Sequence, residues 1–330
     1  MLVSRHLQSR ARAGPRHGRS GPDPNSGGLL RRTWPDPAQR AVRPAAEAEQ
    51  PAADWAAAEA LRRGLPLRLV HAWEGLPSDA SSLPELEAPR HRAGRLLRAA
   101  MDRLDERHPQ VRLSAEQIAR PAPDALVTAG AEGELLVLGS RAFSGLGGFM
   151  AGSVALTTVA HATRPVILVR AGRSAEDDHL PREDRHPSAR TPYRDVVVGV
   201  DLAHPCDEVL AFAFESAALR CAPLRVVHSW HVPYAQGAAV ARMSAVAGQA
   251  AEQGLDGMLR PWREKHPTVR IRELVENGRP AQMLQDASQE ACLVVVGRRV
   301  RPARLGTHTG PVAHAVMHHA RCPVAVVPHE

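Results

Sequence analysis

The sequence predicts an α/β protein made of two tandem copies of one domain, each an open parallel sheet with helices on both faces. Three observations carry this. Apolar residues make up 44% of the 330 residues and aromatics only 3%, so the cores must be built from Val, Leu, Ile and Ala, which suits buried parallel strands under helices. Short aliphatic runs alternate with longer stretches rich in Ala, Leu, Glu and Arg, an order that short right-handed crossovers turn into a parallel sheet. The chain also repeats itself. "LPLRLVHAW" (65–73) returns as "APLRVVHSW" (222–230), "RHPQVRL" (107–113) as "KHPTVRI" (265–271), "ELLVLGSR" (134–141) as "CLVVVGRR" (292–299) and "TRPVILV" (163–169) as "RCPVAVV" (321–327), at offsets of 157 or 158. Four matches in one order mean a duplicated domain.

Taken in order, residues 1–50 are rich in Arg, Pro, Gly and Ala and read as a disordered tail. The first domain is expected over 51–171. Its opening helix is "AADWAAAEALRRG" (52–64), but the strand that should precede it falls on "AQRAVRP" (38–44), which has no apolar run. The first domain is therefore expected to lack its first strand, either by decay or because the recorded start lies outside the ancestral domain. Residues 172–193 are polar and charged and form a linker whose acids read as a solvated face. In the second domain, 194–330, β-rich runs place strands at 195–200, 223–230, 269–275, 292–297 and 323–327. The amphipathic stretches between them place helices near 205–221, 240–265, 279–290 and 310–320.

Composition also narrows function. The formal charge is +7, but nine Arg against four acids in residues 1–50 hold +5 of it, and this distribution argues against a nucleic-acid partner. Cys206, Cys221, Cys292 and Cys322 show no CxxC spacing, which points to free thiols in a reducing, cytoplasmic setting. No apolar run approaches the 18 residues of a membrane span.

In both halves a buried strand ends in glycine and a second glycine opens a helix 13 residues on: Gly139 and Gly152, then Gly297 and Gly310. A helix N-terminus offers free N–H groups and the positive end of a dipole, and glycine lets an anion approach. Neither GxxxxGK[ST] nor GxGxxG is present, and the loops follow a late strand, so the common nucleotide signatures do not apply. Arg141 and Arg298, just past the glycines, read either as solvated loop charges or as phosphate partners. Arg299, Arg301 and Arg304 add further charge. His308, His314, His318 and His319 near Cys322 include the i, i+4 pair of a helical metal site, but no acid completes it. His71 and His228 read as hydrogen-bonded strand residues. No catalytic constellation emerges, so the chain is expected not to be an enzyme, slow ATP hydrolysis aside.

These residues resemble the universal stress proteins in their tandem bacterial form. Nucleotide-binding members of that family carry a glycine, two residues, a glycine, nine residues, then glycine and Ser or Thr. Here the pattern reads Gly139, Ala142, Gly152, Ser153 in the first half and Gly297, Val300, Gly310, Pro311 in the second. "VVVGVD", ending at Asp201, and the closing "HATRPVILV" and "HHARCPVAVV" units also match. The resemblance implies five-stranded Rossmann-like sheets whose last strands pair, within the chain between 165–170 and 323–328 or across a homodimer. It implies ATP or another adenine nucleotide as ligand, with or without Mg, held at the adenosine end by Gly199, Val200, Asp201 and Ser229, with Ala72 the first-half counterpart of Ser229. The phosphate end would be Leu138, Gly139, Gly152, Ser153 and Val154, or Val296, Gly297, Gly310 and Val312. The first half keeps Gly152–Ser153 but lacks the adenosine Asp, while the second keeps Asp201 but has Val300 and Pro311, and proline deletes an N–H and a hydroxyl. Two functions follow: a stress-response regulatory protein whose nucleotide alters dimerisation or partner binding, or an interaction module with degenerate sites.

Overall fold

The computed structural model describes residues 2–3, 50–73, 84–139, 152–231, 238–300 and 309–330. Ten strands form one sheet: β1 (Leu2–Val3), β2 (Leu67–Trp73), β3 (Leu113–Ala119), β4 (Leu135–Gly139), β5 (Val166–Val169), β6 (Asp195–Gly199), β7 (Leu224–Trp230), β8 (Ile271–Asn277), β9 (Ala291–Arg299) and β10 (Val324–His329), in the spatial order β3-β2-β1-β4-β5-β10-β9-β6-β7-β8. The helices are α1 (Gln50–Arg63), α2 (Pro84–Arg107), α3 (Ala122–Ala131), α4 (Ser153–His161), α5 (Asp207–Arg220), α6 (Ala238–Lys265), α7 (Pro280–Ala287) and α8 (Pro311–His319). All five second-half strands and four helices coincide with the sequence expectation to within a few residues.

Each half is an open sheet in the order third, second, first, fourth, fifth strand, and the two tandem sheets are fused into one. β5 and β10 pair antiparallel, Val324 with Leu168 and Val326 with Val166. The aliphatic runs of β4, β6 and β9 are buried on both faces. One core, under α1, α2, α5 and α6, runs unbroken through both halves, and the other lies under α3, α4, α7 and α8. The outer strands β3 and β8 carry Glu116, Gln117, Arg272, Glu273 and Glu276, charge and polarity that discourage edge-to-edge pairing.

The slot expected to be vacant in the first half is not. Leu2–Val3, expected to belong to a disordered tail, lies between β2 and β4, antiparallel to both, opposite Leu67–Arg68 and Leu135–Leu136. Interior strands with an empty slot between them would leave two rows of backbone N–H and C=O groups unpaired, and this short segment satisfies part of each row. It covers only that part of the slot, and it runs the wrong way to deliver an acid to the carboxyl edge. The rest of the tail expectation, 4–49, lies outside the described residues.

The seam between halves is polar as well as apolar. Glu59 of α1, 1% exposed, receives Arg220 of α5 at 2.6 Å, with Arg62 at 2.5 Å and Arg63 at 2.7 Å. Burial alone pushes this carboxyl up, but the charges of Arg220, Arg62 and Arg63 and the Arg63 hydrogen bond outweigh it and hold it at about 2. Arg220 also lies 5.7 Å from the Trp55 ring, and Arg63 reaches Glu215.

Helix ends are tied across the same seam. Arg298 of β9, 5% exposed, donates to the Ala160 and Ala162 carbonyls at the end of α4, and Arg170, just past β5, donates to Ala320 at the end of α8. A cation at a helix C-terminus satisfies free carbonyls and complements the dipole.

The linker is folded against this seam. Ala175–Asp178 forms a 3-10 turn and His179 bridges to Tyr193. Its acids are not all solvated: Asp178 is 6% exposed and paired with Arg173 at 2.7 Å, and Arg173 also bonds the Arg321 carbonyl.

Replacing Glu59 by Gln strands the buried Arg220 charge, and urea unfolding should show a loss of about 3–5 kcal/mol. Because the folded carboxyl sits at about 2 against an ordinary 4.5, its contribution is complete above pH 4.5 and disappears as pH falls toward 2. Glu59→Gln should therefore flatten that limb of the stability–pH curve. Arg298→Ala loses two charge-assisted bonds and should cost about 2–3 kcal/mol in the same assay.

Candidate functional site

In an open α/β sheet the natural crevice lies at the carboxyl ends of the strands, where the strand order reverses. In the second half that point falls between β6 and β9. Gly199 closes β6 and leads into Val200 and Asp201, Gly297 lies in β9 above buried Val296, Ser229 lies near the end of β7, and Gly310 opens α8 with Val312 in its first turn. The structure thus brings the second-half residues expected from sequence to one edge.

Several of their polar groups are already engaged. The Asp201 side chain is 63% exposed and accepts from the Ala203 N–H at 3.0 Å and from His204 at 3.1 Å. Partial burial raises its carboxyl, but the His204 and Ala203 hydrogen bonds and the His204 and His228 charges leave it below the ordinary value. It is an ionised acceptor set by its own turn, with each oxygen holding one hydrogen bond. His228 donates from Nδ1 to the Val200 carbonyl at 3.1 Å, and Ser229 donates to the Gly278 carbonyl. His228 thus has the structural, hydrogen-bonded role expected of it.

The glycines separate into two kinds. A Cβ on Gly199 would come within 2.8 Å of Leu284, and one on Gly297 within 2.7 Å of His329 and 3.1 Å of Val209. At both positions a side chain would have to push a neighbour aside. Gly152 and Gly310 are different: each is an extended N-cap residue with φ of −63° and −56°, and a Cβ at either would meet no described atom within 4 Å. Neither backbone conformation nor crowding by the described residues calls for glycine there. Both helices also lack a side-chain cap, so their first-turn N–H groups have no partner from the N-cap side chain.

In the first half, Gly139 ends β4, with Leu138 buried beside it, while Ser153 and Val154 stand exposed at the start of α4. Ala72 is half-buried in β2 opposite Ile118. No described strand fills the carboxyl part of the slot beside Leu138 and Gly139, and no described acid takes the place of Asp201. Because β5 and β10 run antiparallel, the two crevices open on opposite edges of the sheet, and neither can complete the other.

The two readings of Arg298 are resolved: buried and bonded to two carbonyls, it is a helix cap and not a phosphate partner. Arg141, Arg301, Arg304 and His308 lie outside the described residues. The His314 and His318 rings lie 4.5 Å apart between centroids, tilted 44° to each other. Cys322 is 1% exposed, and burial pushes its thiol up. Among the described residues no group of three or more His, Cys, Asp or Glu is arranged to hold a metal. His204 and His329, the two side chains that close in on the second crevice, were not anticipated; the only sequence signal for the first is its place three residues after Asp201.

Comparison with known proteins fits this architecture. The family model described as "Universal stress protein family" matches residues 41–170 and again 192–328. A universal stress protein of Mycobacterium tuberculosis strain H37Rv is 30% identical over 285 residues, covering 83% of this chain and 91% of its own length. A second from that strain is 30% identical over 291 residues, covering 84% and 92%. The crystal structure of a universal stress protein from Archaeoglobus fulgidus superimposes with a TM-score of 0.54 at 13% identity, over 84% of this chain and 94% of that one, a likeness of fold. With two family repeats in tandem and relatives of the same two-domain length, this chain belongs to the universal stress protein family.

Proposed function

We propose that the chain is a regulatory protein of the stress response that binds an adenine nucleotide and acts through the effect of occupancy on partner binding or self-association. The observation that carries this is the pair of helix-opening glycines: among the described residues nothing crowds position 152 or 310 so as to call for glycine, whereas a phosphate approaching first-turn N–H groups does. The first-half cradle fits the phosphates better. Ser153 adds a hydroxyl to the free N–H groups of α4, while α8 begins with Pro311, which has neither. The adenosine end is better kept in the second half, at Gly199, Val200, Asp201 and Ser229. ATP is the nucleotide the site pattern implies, and Mg would accompany it on the phosphates without a described carboxylate cluster to hold it.

A consequence for signalling lies in α4. Its N-terminus is the phosphate point, and its C-terminus is held by Arg298 of the other half. Ordering of the α4 first turn by a phosphate would therefore be felt at the seam. Four unpaired thiols, two of them buried, suit a cytoplasmic setting. Among the described residues no helix is long and apolar enough to cross a membrane.

The interaction-module reading has its own support in the second half, where His329 occupies the space over Gly297 and Asp201 is tied to His204. Titration of labelled ATP into the full chain separates the two. Wild type should saturate, and Ser153→Ala should weaken binding about tenfold or more, the worth of a lost hydrogen bond to a charged group. Asp201→Ala should weaken it less. Absence of saturable binding in the millimolar range sinks the nucleotide reading and leaves the interaction module.

A further inference from the structure

A cavity of about 300 Å³, lined by Arg90, His91, Gly94, Arg98 and Gln117, lies between α2 and the edge strand β3 of the first half, three strands outward from β4. Arg90, Gly94 and Arg98 succeed one another at four-residue steps and share one face of the helix. The Arg98 guanidinium and the Gln117 amide converge over Gly94: a Cβ there would lie 2.9 Å from Gln117 Nε2 and 3.9 Å from both Arg98 Nη atoms. Glycine is a poor choice for a helix interior, and here its missing side chain is the space into which these donors point. Arg90, His91 and Arg98 form no ion pair with any described carboxylate.

The duplicated domain supplies an internal control. At an offset of 158, the buried residues Ala93, Leu97 and Leu104 of α2 fall on Ala251, Leu255 and Trp262 of α6, all buried. The same offset sets Arg90, Gly94, Arg98 and Gln117 against Gly248, Glu252, Asp256 and Val275. In the second half this face is acidic. Asp256 pairs with Arg260 and Arg263, and the Trp230 ring lies against Gly248. One scaffold position thus carries a donor-lined cavity in one copy and its opposite in charge in the other, so helix packing does not dictate the cations.

We propose that this cavity binds a small phosphate-bearing anion, a diphosphate or a phosphorylated metabolite, at a site separate from the nucleotide cradles. Guanidinium groups present paired donors matched to phosphate oxygens, and the Gln117 amide and His91 add single donors. A cavity of this size admits more than a lone phosphate. Its cations are solvent-exposed, so affinity should fall with ionic strength.

Calorimetric titration of pyrophosphate into the full chain at low ionic strength tests this. Wild type should show saturable binding. Arg98→Asp, Gly94→Glu and Gln117→Val each install the residue that the second copy tolerates at the same place, and each should weaken binding, about tenfold or more for Arg98→Asp, with the far-ultraviolet spectrum unchanged. The double change Arg92→Ala/Arg95→Ala, exposed arginines of α2 outside the cavity, should bind as wild type does. The proposal is overturned if wild type shows no saturable binding, or if the Arg92/Arg95 variant loses as much as Arg98→Asp, which would make the effect diffuse helix charge. Loss confined to Ser153→Ala also overturns it, by placing the anion at α4.

Discussion

The antiparallel pairing of β5 with β10, locked by the buried Glu59–Arg220 contact, is the constraint on which the rest of this molecule depends. It fuses two five-stranded halves into one sheet and joins their cores on both faces. A buried carboxylate is tolerable only when its charge is answered, and three arginines from two halves answer this one. The same pairing fixes direction. Strands of one half point against those of the other, so each carboxyl edge faces the closing-helix C-terminus of its neighbour, and each closing helix receives a cross-seam arginine there.

Duplication gave the two halves one plan, and the seam has made them unequal. β9 and β10 continue past the level of Gly297, with Pro328 beside Arg298 and His329 beside Arg299. That extension puts Arg298 under α4 and His329 over Gly297, while the first half keeps an open α4 start with Ser153 exposed. The first half has lost something else: its first-strand slot holds a two-residue antiparallel segment, which pairs backbone but cannot present an acid beside Gly139. On the proposed reading, each half therefore keeps one end of a nucleotide cradle, on edges that face apart.

Much of the fold was legible because its signals are local and repeated. Aliphatic runs such as "LLVLG" and "CLVVV" have no other stable home than a buried parallel strand, and the offset of 158 doubled each piece of evidence. The placement of the second-crevice residues at one edge was legible too, since strand ends and helix starts follow from the same pattern, whereas their role in binding rests on the resemblance alone. What it concealed was pairing between distant residues. Arg298 beside a glycine looks like a phosphate ligand, and only the register of β9 against the end of α4 shows that its guanidinium is spent on carbonyls. Glu59 within "WAAAEALRR" did carry a signal, a lone acid in an alanine-rich face with two arginines three and four residues on, but its principal partner lies 161 positions away. The antiparallel Leu2–Val3 segment had no signal at all, because two residues show no periodicity.

The claim at the centre of this account is that the two cradles act at opposite edges, with the phosphate end of the ligand at the start of α4. Amide hydrogen exchange of the full chain, with and without saturating ATP, addresses it residue by residue. Slowed exchange at Ser153 to Leu156, with β5 and β10 unchanged apart from the α4–Arg298 contact, is the predicted result. Protection confined to the β5–β10 seam, or none at the start of α4 under saturation, would contradict it.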